Sequence, residues 1–204
     1  PPVRKAFILC ETASLGHEFM RDLRDTVIQR DRLRFRRNIE RMGELIAYEI
    51  SKDLNYSAAE VKSSLGIKKT QLLDEYPVIC SVLRAGLPFQ QGLLNYFDRS
   101  DAAFVSAFRK HISDTEFQIE VQYLATPNLK DRVLILADPM MATGQSLVLT
   151  HEALLKNGAP KRLIIASLIA SKEGLEYVQQ HLPQAEIYIG DLDDELNEHA
   201  YIMP

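Results

Sequence analysis

The segment Asp138-Pro-Met-Met-Ala-Thr-Gly-Gln-Ser146 carries the residue types of a loop that holds a phosphate monoester. Ala142 and Gly144 are small enough for the backbone to come close to a ligand, and Thr143 and Ser146 offer hydroxyl donors. A helix opening here has first N–H groups with no intrahelical partner, and these point outward to complete a nest for an anion. Asp138 ends an apolar run. It repels phosphate but can accept hydrogen bonds from the hydroxyls of a sugar phosphate. The loop has no lysine and no Gly-x-x-x-x-Gly-Lys spacing, so it is not a nucleoside triphosphate loop. Taken alone, it fits equally well an Asp and a Thr that only cap a helix.

The surrounding residues read as strands alternating with helices. Residues 132–138 and 77–83 are continuous apolar runs with β-branched residues, the mark of strands buried on both faces. Further strands are expected at 102–108, 117–123, 162–167 and 186–189, and helices at 89–97, 146–157 and 172–181, with Gly158 as the C′ residue of the second. Residues 117–123 alternate apolar at odd numbers and polar at even ones, so one face of that strand meets water. Upstream, Phe35, Ile39, Met42, Ile46 and Ile50 form one apolar stripe on a long helix over 31–54. Residues 55–75 read as a surface excursion or short hairpin. The expected fold is α/β, a doubly wound and mainly parallel sheet behind an N-terminal helical segment, in one domain over residues 1–204. Ligands of such sheets bind beyond the carboxyl ends of the strands. That is where the 138–146 loop, the break Arg84-Ala-Gly and Arg109 all lie, the last heading a polar stretch over 110–116 that reads as a flap.

Composition excludes several function classes. The chain is 46% hydrophobic and 25% charged, which rules out disorder, collagen-like structure and a coiled-coil rod. No apolar run is long enough to span a bilayer, and the N-terminus lacks the features of a signal peptide, so the chain reads as cytoplasmic. Cys10 and Cys80 are too few for a disulfide framework or a zinc site. Net charge is −4, yet residues 21–41 hold eight arginines against four acids, leaving −8 on the remainder. Asp191, Asp193, Asp194 and Glu195 read as a solvated loop rather than a metal cluster.

Four segments, in order, resemble one family. Val133-Leu-Ile-Leu-Ala-Asp-Pro-Met-Met-Ala-Thr-Gly144 looks like the phosphoribosyl-diphosphate signature of phosphoribosyltransferases, in the Asp-Pro form of the uracil phosphoribosyltransferases. Arg34-Phe-Arg-Arg-Asn38 with Tyr48-Glu49 resembles that family's N-terminal helix, and Ser81-Val-Leu-Arg-Ala-Gly-Leu87 its diphosphate-contacting loop. Leu196-Asn-Glu-His-Ala-Tyr-Ile-Met-Pro204 is similar to the entry of its uracil-binding segment. The resemblance runs from about residue 18 to 204. Two departures stand out. Gln145 replaces a second Gly or Ala, which is acceptable where φ is already helical, and Phe108 replaces the Tyr of a Tyr-Arg pair. In that family a Gly-Leu-Gly-Asp run follows the Tyr-Ile-x-Pro element and completes the base pocket; the sequence given stops at Pro204.

The resemblance implies a phosphoribosyltransferase-type sheet with a small C-terminal base-binding hood, and transfer of phosphoribosyl from 5-phosphoribosyl 1-diphosphate to uracil N1. It implies that Arg84 and Arg109 hold diphosphate and that Asp138 orients the ribose hydroxyls. Pro139, Met140, Met141, Ala142, Thr143, Gly144, Gln145 and Ser146 would contact the 5′-phosphate, and Tyr201 and Ile202 would line uracil. Magnesium (Mg2+) is expected, held by diphosphate and ribose oxygens and water, with no protein ligand. A homodimer or larger assembly is implied too, with the arginine-rich helix meeting acidic surface on a partner and strand 117–123 extending as an arm. The competing reading is a non-catalytic regulator on the same scaffold that binds RNA through the arginines. The one aromatic residue interleaved with them, Phe35, lies on the apolar stripe and offers no stacking platform, so nucleic acid is disfavoured.

Overall fold

The computed structural model describes residues 6–111 and 117–204, with side chains described outside 107–120. In chain order it has β1 (Phe7–Ile8), α1 (Leu15–Arg24), α2 (Arg32–Lys52), β2 (Tyr56–Ser63), β3 (Gly66–Leu73) and β4 (Val78–Leu83). Then come α3 (Leu87–Tyr96), β5 (Ala102–His111), β6 (Phe117–Ala125), β7 (Val133–Ala137), β8 (Met140–Met141) and α4 (Gln145–Leu154). Last are β9 (Arg162–Ser171), α5 (Lys172–His181), β10 (Glu186–Asp193), β11 (Glu195–Leu196) and β12 (Ile202–Met203). The main sheet runs β1-β10-β9-β7-β4-β5-β6, parallel throughout except for β6, which pairs antiparallel with β5 at the edge.

Strand residues divide between two cores by period two, the pattern of a sheet covered on both faces. From β7, Leu134 and Leu136 pack with Leu147 and Val148 of α4 and Val178 of α5. Val133, Ile135 and Ala137 face the other way, toward Met42, Ile46 and Ile50 of α2 and Phe89 and Leu93 of α3. The expected apolar stripe of α2 is therefore the face laid on the sheet, and Asp31 starts that helix by accepting from the N–H groups of Leu33 and Arg34 at 3.1 and 3.0 Å. Gln90, buried in α3, donates to the carbonyls of Ile79 and Ala103 at 2.9 and 3.0 Å, tying the helix to β4 and β5.

Helices α1 and α2 are joined around a buried carboxylate. Asp22 accepts from Arg21 (2.8 Å), Arg34 (2.7 Å) and Asn38 (3.2 Å). Hydrogen bonds from the Arg21 guanidinium and then from Arg34 hold its carboxyl down at about 2. Arg37 pairs with Glu40 at 2.5 Å, and Arg41 bonds Asn38 at 2.9 Å while lying over the Phe19 ring. Much of the local positive charge is thus met within the chain.

Three expectations change. In β6 the alternation breaks, because the register against β5 shifts between Ser106 and Ala107. One extra residue turns Tyr123 outward to 54% exposure and Leu124 inward against the core. The acidic run is not a solvated loop at its start: Asp191 and Asp193 belong to β10, which runs four residues beyond the expected end at 189, and both bind Arg24. Strand β9 likewise continues to Ser171 rather than stopping at 167, since Leu168 and Ala170 are also buried. Residues 55–75 do form a hairpin, β2 with β3, whose residues are almost all exposed.

The tightest helix crossing is set by glycines. A Cβ on Gly92 of α3 would lie 2.0 Å from the Glu40 carbonyl oxygen of α2, and one on Gly43 would lie 2.5 Å from that of Phe89. Gly92→Ala must push the two backbones apart, and is expected to destabilise the protein by about 2–3 kcal/mol. Urea unfolding of the variant reads that loss directly; an unchanged midpoint would show that the crossing is looser than described.

Candidate active site

Because β4, β5, β7, β9 and β10 are parallel, the segments leaving their carboxyl ends gather at one edge of the sheet. Ser81 of β4 stands in register with Ala137 of β7, so Arg84 and Asp138 leave neighbouring strand ends. On the other side of β4, Leu83 is in register with Ser106 of β5, and Arg109 follows three residues later, paired through its backbone with Ile119 of β6. The Arg109 side chain lies outside the described residues, as do the side chains of Lys110 and His111 and the whole of 112–116, where the flap was expected.

Arg84 is exposed and makes no ion pair with a described residue, which leaves its guanidinium available to an anion. Its loop folds tightly onto the strand: a Cβ on Gly86 would sit 2.2 Å from Ser81 Oγ and 2.5 Å from the Val82 carbonyl oxygen. The Ser81 hydroxyl is buried beneath this turn with no hydrogen-bond partner among the described residues.

The 138–146 loop is fastened to β9 at successive points. Asp138 donates its N–H to the Ala166 carbonyl (3.1 Å), and the Pro139 carbonyl accepts from Leu168 and Ile169 (3.2 and 3.0 Å). Met140 and Met141 then pair with Ile169 and Ala170 as β8. Finally Ser171 Oγ donates to the Ala142 carbonyl at 2.6 Å and accepts from Gly174 N–H at 2.9 Å. Pro139, Met141 and Gly144 are buried, Met140 is exposed, and Ala142, Thr143, Gln145 and Ser146 are half-buried.

Gly144 is the N-cap of α4, with φ +75° and no side chain capping it. Neither Asp138 nor Thr143 fills that role, which removes the simple capping account of the loop. The uncapped N-terminus presents the N–H groups of the first helical turn beside a concavity of about 40 Å³ lined by Asp138, Met140, Thr143, Gly144 and Ser146, room for one small group. The glycine is required for a reason the sequence did not suggest. A Cβ there would meet the Gly174 carbonyl oxygen at 2.7 Å, so α5 closes on the loop as well. Gln145 is the first helical residue, where its Cβ is harmless.

Asp138 is partly exposed, yet desolvation pushes its carboxyl up to about 6, opposed by the hydrogen bond it accepts from Met140 N–H at 3.1 Å. Beyond β10, β11 and β12 pair antiparallel around a turn ordered by Asn197, whose Oδ1 accepts from His199 and Tyr201 N–H at 3.0 and 2.9 Å. Tyr201 is 66% exposed and Ile202 half-buried, so Tyr201 is not packed as core. Sequence reasoning passed over Ser171, Gly174 and Asn197. A serine followed by an acid in the first turn of α5 was the available signal for Ser171. Among the described residues no group of three or more His, Cys, Asp or Glu could hold a metal ion.

The family model described as uracil phosphoribosyltransferase matches residues 13–204. The chain belongs to the uracil phosphoribosyltransferase family. It is 46% identical over 192 residues to the uracil phosphoribosyltransferase of Porphyromonas gingivalis, covering 94% of this chain and 89% of that one. It is 36% identical over 190 residues to that of Thermococcus gammatolerans, covering 92% and 83%. Among solved structures, the AQ2163 protein from Aquifex aeolicus superposes with a TM-score of 0.81 at 27% identity, covering 94% of this chain and 89% of that chain. A hypoxanthine phosphoribosyltransferase from Staphylococcus aureus (TM-score 0.51, 14% identity, covering 78% and 74%) shares the fold alone. The uracil phosphoribosyltransferase match takes in the α1–α2 segment, the loop after β7 and the β11–β12 hood together.

A carboxyl held at about 6 in the folded protein, above the ordinary aspartate value of 3.8, binds more protons in the native state between those values, so stability falls as pH rises through that window. Asp138→Asn removes this penalty while keeping an acceptor for Met140 N–H. We expect the variant to be more stable than wild type at pH 7, by about 1–2 kcal/mol, and to lose the decline between pH 4 and 6. Urea titrations across that range check it, and identical pH profiles for both proteins would refute it.

Proposed function

We propose that this protein transfers the phosphoribosyl group of 5-phosphoribosyl 1-diphosphate to N1 of uracil, releasing diphosphate and forming uridine monophosphate, with residues 1–204 acting as one phosphoribosyltransferase domain in the cytoplasm. The observation that carries this reading is the meeting, at one sheet edge, of an arginine with no ion pair among the described residues, a desolvated aspartate and an uncapped helix N-terminus. In this chemistry the bond from C1 to the diphosphate oxygen breaks with its electron pair leaving on diphosphate. Uracil N1 bonds to C1 and gives up its proton to water or to the departing diphosphate.

The protein's part is positioning and charge stabilisation. The backbone of residues 139–146 receives the 5′-phosphate, with the Thr143 and Ser146 hydroxyls beside it. Asp138, ionised above about pH 6, accepts from the ribose hydroxyls and sets negative potential near the positive charge developing at C1. Arg84 and Arg109 neutralise the departing diphosphate, and the backbone at Tyr201 and Ile202 reads the edge of uracil. Mg2+ would be held by diphosphate and ribose oxygens of the substrate and by water rather than by protein side chains, and would supply positive charge to offset that of the leaving group, beside Asp138 and the anion-binding loop. The regulatory, RNA-binding reading finds no support, since Arg34, Arg37 and Arg41 are engaged inside the chain.

A homodimer or larger assembly is part of the proposal. An isolated two-stranded hairpin is marginal in water, yet β2–β3 projects with Val61, Leu65, Ile67 and Leu72 exposed. The edge strand β6 is paired along its length with β5, and so the hairpin supports association better than the arm first expected. Sedimentation equilibrium at micromolar concentration should report at least a dimer; a monomer throughout would overturn this part.

Two measurements test the chemistry. The purified protein should form uridine monophosphate from uracil and phosphoribosyl diphosphate with Mg2+ present, and its failure to do so would end the proposal. Arg84→Ala should weaken binding of phosphoribosyl diphosphate and of free diphosphate together, by about tenfold or more, while uridine monophosphate, which lacks that group, binds within about twofold of wild type. Equal losses for all three ligands would make Arg84 a structural residue.

A further inference from the structure

Arg24 is the last residue of α1 and has no place in the chemistry above, yet its guanidinium reaches both ends of the hood. Nη1 and Nη2 grip Asp193 at 2.9 and 2.7 Å, Nη2 also donates to Asp191 Oδ2 at 2.9 Å, and Nη1 donates to the Pro204 carbonyl at 3.2 Å. Asp193 is where β10 ends and the hood departs, and Pro204 follows β12 where the hood returns. The pairing is two-pronged on a carboxylate only 8% exposed, with Arg24 itself 27% exposed, a geometry that favours a strong charge-assisted contact.

The hood has little of its own to hold it. Its two strands are two residues each, closed by the Asn197 turn, and a hairpin that short is not stable alone. The other ion pair at its base, Lys172 with Asp194 at 2.5 Å, is well exposed and contributes little. The phosphate loop, by contrast, is fastened to β9 and Ser171 without any contribution from Arg24.

We infer that Arg24 is a positioning residue of the base site: by clamping the entry and exit of the hood, it fixes where the backbone at Tyr201 and Ile202 stands relative to the phosphate loop. The inference rests on reading 201–202 as the uracil site, and it predicts that uracil and phosphoribosyl diphosphate respond separately. In Arg24→Met, KM for uracil should rise about tenfold while KM for phosphoribosyl diphosphate stays within about twofold. Arg24→Lys, which keeps the charge but not the fork, should recover part of that loss.

Because Arg24→Met leaves Asp193 as an unpaired, buried carboxylate, a double variant with Asp193→Asn separates stability from positioning. It should unfold nearer to wild type yet retain the raised uracil KM. Hydrogen exchange gives a readout independent of catalysis: in the folded variants, amides of 195–203 should exchange faster while those of 139–146 keep their protection. Unchanged hood exchange, or KM values for both substrates rising together, would overturn the inference. If the wild-type protein made no uridine monophosphate, the functional proposal would fall, while hood exchange in Arg24→Met would still decide whether Arg24 holds the hood.

Discussion

Strand β9 runs from 162 to 171, but its neighbour β7 stops in register with Ala166, and the site grows out of that difference in length. The backbone groups of β9 beyond Ala166 need partners, because unpaired buried N–H and C=O groups are costly. The chain after β7 supplies them by leaving the sheet at Asp138, accepting from the Leu168 and Ile169 N–H groups at the Pro139 carbonyl, and re-entering as β8. The excursion leaves the Asp138 side chain at the gap. It also delivers the chain to Gly144, where a positive φ turns it into α4 with an open N-terminus. On the opposite side of the same stretch of β9, Asp191 and Asp193 of β10 pair with Ile169 and Ser171, and the hood begins there. Five residues of one strand therefore carry both the phosphate loop and the base-binding segment.

Two aspartates show how the same side chain is put to opposite uses. Asp22 is surrounded by donors, is held down at about 2, and binds two helices together at every physiological pH. Asp138 has one backbone donor and a desolvated position, and sits at about 6. The first arrangement favours the folded state. The second costs stability once the group ionises, a cost consistent with a carboxylate kept short of partners so that a ligand can provide them.

The arginine-rich segment looked from its composition like a surface for a separate partner. In the folded chain it is largely an internal fastening: Arg21 and Arg34 reach Asp22, Arg37 reaches Glu40, and Arg24 reaches the far end of β10. The acids that answer Arg24 come 167 and 169 residues later. Their own stretch of sequence gives no hint of the pairing.

Local patterns were enough for the sheet, the long helix and the loop. Apolar runs at 77–83 and 132–138, the stripe from Phe35 to Ile50 and the Asp138 to Ser146 segment depend on side-chain periodicity and turn chemistry, which act over a few residues and are visible in order. Much of the site was legible for the same reason, since Arg84, Asp138 and the residues of the phosphate loop follow strand ends. Other features arise only when distant segments meet. The outward turn of Tyr123 comes from a register shift against β5, and the need for Gly144 from the approach of α5. The extension of β9 and β10 past their expected ends, the Ser171 strut and the Arg24 clamp likewise depend on which strands lie side by side. Sequence order sets what each segment can become, but strand neighbours and helix crossings are chosen by the packing of the whole chain, because hydrogen-bond partners and steric limits there come from residues far away along it.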